Sequence, residues 1–150
     1  MGLGARLRAS RIDAGRLAFV ASCLAVAIAL STAASLVYRF GWAFGPQPLL
    51  VAAIFGAGAG IGFPVAVLLA GMIAPRASGH WRAIITLGLA LVTIVGATLA
   101  IYFFEHRAYY SQWHGPALSR VWLWQQAFTA LGAAAQMGVM GTRYLGLPAL

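Results

Sequence analysis

Residues 49–73 read LLVAAIFGAGAGIGFPVAVLLAGMI, a run with no charged side chain and no hydroxyl. A bilayer core about 30 Å thick is crossed by roughly 20 apolar residues at 1.5 Å rise each, so this run can span it as a helix. Its apolar residues are continuous and do not alternate, which excludes a strand of a closed barrel. Gly45-Pro46-Gln47-Pro48 precede it. Proline lacks an N–H donor and disfavours helix in the residue before it, so the helix is expected to start near Leu49.

The same pattern repeats outward. Charges are absent from 17–38, 40–75, 83–104 and 121–142. The 150 residues are 62% hydrophobic and 8% charged, with ten Lys+Arg positions, all arginine, against Asp13 and Glu105. A soluble domain carries charge on about a quarter of its residues. So few charges cannot cover a water-facing surface, and disordered chains are poor in apolar residues. The expected fold is an all-α integral membrane protein. Its four transmembrane helices are expected at Leu17–Val37, Leu49–Ile73, Ala83–Phe104 and Val121–Thr142, in an antiparallel bundle. A basic tail covers 1–16, and a short C-terminus covers 143–150.

Arginine placement sets the expected orientation. Arg6, Arg8, Arg11, Arg16, Arg76, Arg82 and Arg143 fall on one side, and Arg39, Arg107 and Arg120 on the other. The richer side is cytoplasmic, which puts both termini there, in the cell inner membrane. The net charge of +8 is then mostly topological. Four arginines interrupted by Asp13 are too sparse for a nucleic-acid patch, and anionic headgroups are the expected partner of the tail. An Arg-rich start before Ser31-Thr32-Ala33-Ala34 also suits a cleaved signal peptide. The apolar run, however, exceeds the usual 7–15 residues, so the first helix is taken as a retained span. Cys23 is the single cysteine, which leaves no intrachain disulfide.

Helices in lipid associate through close packing of small residues and a few hydrogen bonds. Gly56/Gly60 and Gly58/Gly62 form two overlapping GxxxG pairs that point in nearly opposite directions, so the second helix is expected to be the most enclosed, with a bend at Pro64. Ala18, Ser22, Ala25, Ala29 and Ala33 stripe the first span, and Thr86, Ala90, Thr93, Ala97 and Ala100 the third. The glycine run is not a phosphate loop. It has no preceding strand, no following lysine, and no free N–H groups at a helix start.

Gln125, Thr129, Gly132 and Gln136 recur at i, i+4, i+7 and i+11, within about 60° on a helical wheel, with Arg143 continuing the line. Amides in hydrocarbon are costly unless hydrogen-bonded, so this stripe faces protein or water. Interhelical bonding of Gln125 or Gln136, to Thr86, Thr93 or a second copy, is the preferred explanation. A polar wall of a substrate path or ligand pocket is the alternative, and exposure of Gln125 near the membrane boundary is a third reading. The loop Glu105–Pro116 is aromatic and titratable. Trp42, Trp81, Trp113, Trp122 and Trp124 sit at span boundaries, as interfacial anchors do. Glu105, His106 and His114 form a candidate extracytoplasmic site for a metal or for pH sensing, but they lack paired ligand spacing.

No ionisable residue lies inside an expected span, which disfavours proton-coupled pumping. One Asp and one Glu on opposite sides cannot act as a carboxylate pair, and the histidines are not placed for haem ligation or a serine triad. The chain is therefore expected not to be an enzyme, and neither a cofactor nor a metal is assigned. The expected function is that of a non-catalytic accessory or assembly subunit, packed in the lipid bilayer as a homo-oligomer or within a larger membrane complex. The alternative is a minimal transporter or flippase for a neutral or lipid-like solute.

Overall fold

The computed structural model describes residues 14–141. The basic tail through Asp13, and Arg143 with the C-terminal stretch, lie outside the described residues. Four helices follow in order, with no strand among the described residues. Helix α1 covers Ala14–Ala34 and ends in a π-helical turn, Ser35–Arg39. Helix α2 covers Pro46–Ile73 and α3 covers Gly79–Tyr110, followed by a 3-10 turn at Ser111–Trp113. Helix α4 covers Arg120–Gln136 and runs into a second π-helical turn, Met137–Gly141.

Three stretches, Ala14–Arg39, Pro46–Ile73 and Gly79–Trp113, are long and apolar enough to cross a membrane. Helix α4 is not among them. Its 17 residues include Gln125, Gln126 and Gln136 as well as Trp122 and Trp124, and these dilute an otherwise apolar sequence.

Several helix ends depart from the charge-based expectation, and two of the departures have a clear local cause. Helix α2 starts at Pro46, earlier than Leu49, because a proline at the first helical position gives up an N–H that would have no intrahelical partner anyway. Helix α3 continues past Phe104 to Tyr110, so Glu105, His106 and Arg107 are helical and not in a loop. No proline or glycine interrupts 97–114, and polarity alone does not end a helix. The first connection closes differently. Gly41 adopts φ +66°, where L side chains are strained, and the Trp42 N–H donates to the Leu36 carbonyl at 3.0 Å.

Helix α2 sits between α1 and α3. In its apolar span 44% of residues are buried, against 11% in each of the others. A Cβ at Gly56 would lie 2.9 Å from the Ala25 carbonyl oxygen, and one at Gly60 would lie 3.3 Å from Ala25 Cβ, both on α1. On the opposite side a Cβ at Gly58 would collide with Thr98, and one at Gly62 would lie 2.5 Å from Ile94 Cα, both on α3. The chain continues as α-helix past Pro64.

The contact face of α1 is rotated from the expected stripe. Ala21, Thr32 and Leu36 are buried, while Ala18 and Ser22 are exposed, since small size alone does not distinguish Ala18 from Ala21. On α3, Ala90 and Thr98 are buried and Ala100 is exposed. The largest buried cluster joins Leu36, Ile54, Phe55, Tyr102, Ala133 and Met137, so all four helices meet at one end. There Phe55 and Tyr102 pack edge to face at 6.1 Å.

Candidate functional site

The end of the bundle where α3 outlasts the apolar stretch also carries most of the polar side chains. Because α3 stays helical to Tyr110, His106 projects from a rigid helix and not from a flexible loop. His106 Nδ1 lies 3.0 Å from the Tyr102 carbonyl. A carbonyl only accepts, so in the neutral imidazole Nδ1 carries the proton and Nε2 keeps its lone pair. Glu105 Oε2 is 3.4 Å from the same nitrogen, and its side chain is 45% exposed.

The connection from α3 to α4 is held by two glutamines. Gln125 Oε1 accepts from the Gly115 N–H at 2.9 Å, and its Nε2 donates to the Trp113 carbonyl at 3.4 Å. One amide thereby satisfies an acceptor at the end of the 3-10 turn and a donor in the irregular backbone after it. Gln126 Nε2 donates to His114 Nδ1 at 3.3 Å, which leaves the neutral His114 ring with its proton on Nε2. Helix α4 starts at a Ser119 cap whose Oγ accepts from the Trp122 N–H at 3.1 Å. Arg107 stacks over the Trp122 ring, 5.8 Å from its centroid, and so ties α3 to α4 through a cation–π contact.

These elements enclose an open cavity of about 480 Å³. His106, Tyr110, Trp113 and His114 line one side; Gln125, Phe128, Thr129 and Gln136 of α4 line the other. A second cavity of about 380 Å³ shares His106 and Gln136 with it and adds Glu105, Trp42 and Gln47. The α4 stripe of Gln125, Thr129 and Gln136 therefore faces one space together with two imidazoles. Glu105 turns to the neighbouring space. Among the described residues no group of three His, Cys, Asp or Glu comes together in a way that could hold a metal ion.

Three interactions differ from the sequence expectation. Gln125 bonds to the turn backbone, not to Thr86 or Thr93. Thr86 Oγ1 donates to its own helix at the Arg82 carbonyl, and Thr93 Oγ1 donates to the Leu89 carbonyl and across to the Gly62 carbonyl at 2.7 Å. Thr129 likewise donates to the Gln125 carbonyl at 2.8 Å, so its hydroxyl is already engaged. Threonine in a helix reaches the carbonyl one turn back more readily than a neighbouring helix. Gln126 was not singled out from the sequence, since it lies about 100° around the helix from the stripe. A cavity with imidazoles, amides and aromatic rings but no charged wall other than Glu105 at its neighbour is suited to hydrogen-bonding a neutral group.

No protein-family model, curated protein or solved structure matches this chain.

Proposed function

We propose that the chain is a multi-pass inner-membrane accessory or assembly subunit, non-catalytic, which packs against a second copy or a larger membrane complex. In this account α4 is a fourth span, the helices alternate in direction, and both termini are cytoplasmic. Opposite directions for α2 and α3 are supported by Gly58 meeting Thr98 while Gly62 meets Ile94. The arginine bias supports the orientation.

The observation that carries the proposal is Gln136. Its side chain is exposed and has no hydrogen bond to the described residues, although it lies between Ala135 and Met137 in a small-residue stretch. Gln136 lines both cavities, and an amide that lines such a cavity without a hydrogen bond costs about 1–3 kcal/mol by protein-based scales where water is excluded, and more against pure hydrocarbon. A neighbouring helix removes that cost, and small residues around the amide let its backbone approach. Gly132, one turn before it, is open: an added Cβ there would meet nothing within 4 Å. Extraction in mild detergent tests this: stable association beyond one chain supports it, and a lone monomer contradicts it.

The two open cavities favour, in second place, a minimal transporter or flippase for a neutral or lipid-like solute. That function requires the purified chain alone to move solute in liposomes, whereas an accessory subunit does not.

A further inference from the structure

At the end of the bundle away from His106 and His114, a groove of about 630 Å³ runs along α3 from Gly79 to Ile94. Leu24 of α1 and Phe63 of α2 form one wall, and Leu87, Ala90, Leu91 and Ile94 form its floor. Apart from Arg82 and Thr86 the lining is apolar, and the Thr86 hydroxyl is spent on the Arg82 carbonyl. The fifteen helical rises between Gly79 and Ile94 cover about 22 Å at 1.5 Å each. One leaflet with its headgroup layer is also about 20–22 Å thick, half of a 40–45 Å bilayer. The groove thus has the length of one lipid, from headgroup to tail.

Arg82 stands at its headgroup end. Nη2 donates to the Pro75 carbonyl at 2.8 Å, which fixes the guanidinium, while Nε is buried with no hydrogen-bond acceptor. Nε is sealed from a phosphate oxygen as it is from water, so the donors that can serve a ligand are the remaining N–H groups of this planar fork, for which an anionic oxygen is the natural complement. The single acid among the described residues, Glu105, lies at the far end of α3, roughly 35 Å away at helical rise. Among the described residues, therefore, no carboxylate lies near enough to neutralise Arg82 or to meet the ammonium of a zwitterionic headgroup. Gly79, at the mouth, leaves open space where a side chain would stand. Trp81 is 61% exposed alongside, at the level where indoles sit in the headgroup region.

We propose that this groove binds one anionic phospholipid, its phosphate on the Arg82 guanidinium and an acyl chain along Leu87, Leu91 and Ile94. The site uses a different face from the one assigned to partner packing, and the two stand or fall separately.

Native mass spectrometry of the full chain, loaded with equal phosphatidylglycerol and phosphatidylcholine, tests it. Wild type is expected to retain one phosphatidylglycerol at least fivefold over phosphatidylcholine, and millimolar inorganic phosphate is expected not to displace it. Arg82→Gln is expected to lower retention at least fivefold. Leu87→Trp fills the groove from a residue that is 67% exposed, so the packed interior is untouched, and the same loss is expected. Equal retention of the two lipids, displacement by phosphate, or wild-type retention by Leu87→Trp overturns the proposal. So does wild-type retention by a folded Arg82→Gln.

Discussion

The Thr93 hydroxyl donates to the Gly62 carbonyl at 2.7 Å, across the α2–α3 interface. That reach is open only because Gly62 has no side chain: a Cβ there would lie 2.5 Å from Ile94 Cα and 2.6 Å from its nitrogen. Backbone atoms cannot rotate away as a side-chain tip can. Gly62→Ala and Gly58→Ala are therefore expected to cost about 1–3 kcal/mol each, the range for overpacking. Gly60→Ala, 3.3 Å from Ala25 Cβ, is expected to cost under about 1 kcal/mol. Gly88→Ala meets nothing and is expected to gain about 0.5–1 kcal/mol from helix propensity. Thermal unfolding in detergent ranks the four, and equal effects at 62 and 88 contradict this packing.

Gln125 should matter to the α3–α4 connection more than to any helix pair. Gln125→Leu strips the Gly115 N–H and the Trp113 carbonyl of their partner. Leaving such groups unsatisfied costs about 1–3 kcal/mol where they are buried and less here, where they are partly wet. Hydrogen exchange across 113–116 is expected to quicken several-fold, with α2 unchanged. Unaltered exchange there removes Gln125 from this role.

The turn before α4 holds one strained residue and one cap. Leu118 sits at φ +66°, a region costing an L side chain about 1–2 kcal/mol. Leu118→Gly is expected to stabilise by up to about 1 kcal/mol, and Ser119→Ala to destabilise by about 1 kcal/mol through loss of the Trp122 cap. Opposite signs from adjacent residues in one melting experiment are the signature to look for.

Much of the interior was legible because lipid makes packing depend on small residues. The glycine spacing from 56 to 62 separates two faces by arithmetic alone, and those faces meet Ala25 and Thr98. Helix ends were less legible. Charge marks where a chain leaves hydrocarbon, not where its backbone stops being helical, and so Glu105–Tyr110 remained helix. The hydroxyl partners were not legible either, since whether Thr86 bonds locally or across helices depends on register that one helix does not reveal. Nor could spacing show that His106 and His114 line one cavity, because that follows from the turn fixed by Gln125 and Gln126.

Topology separates four spans from three. With α4 crossing, reporters fused after residue 10 and at the C-terminus are expected on the same, cytoplasmic side. Reporters on opposite sides remove α4 from the membrane, and with it the cost that makes Gln136 seek a partner.

The most direct measurement is the particle mass of the protein extracted from its own membranes in mild detergent, for wild type and Gln136→Leu. Packing through α4 predicts that wild type migrates as an assembly larger than one chain. It predicts that Gln136→Leu, equally helical by circular dichroism, falls to the monomer. A wild-type monomer, or an assembly of the same size in both, contradicts it.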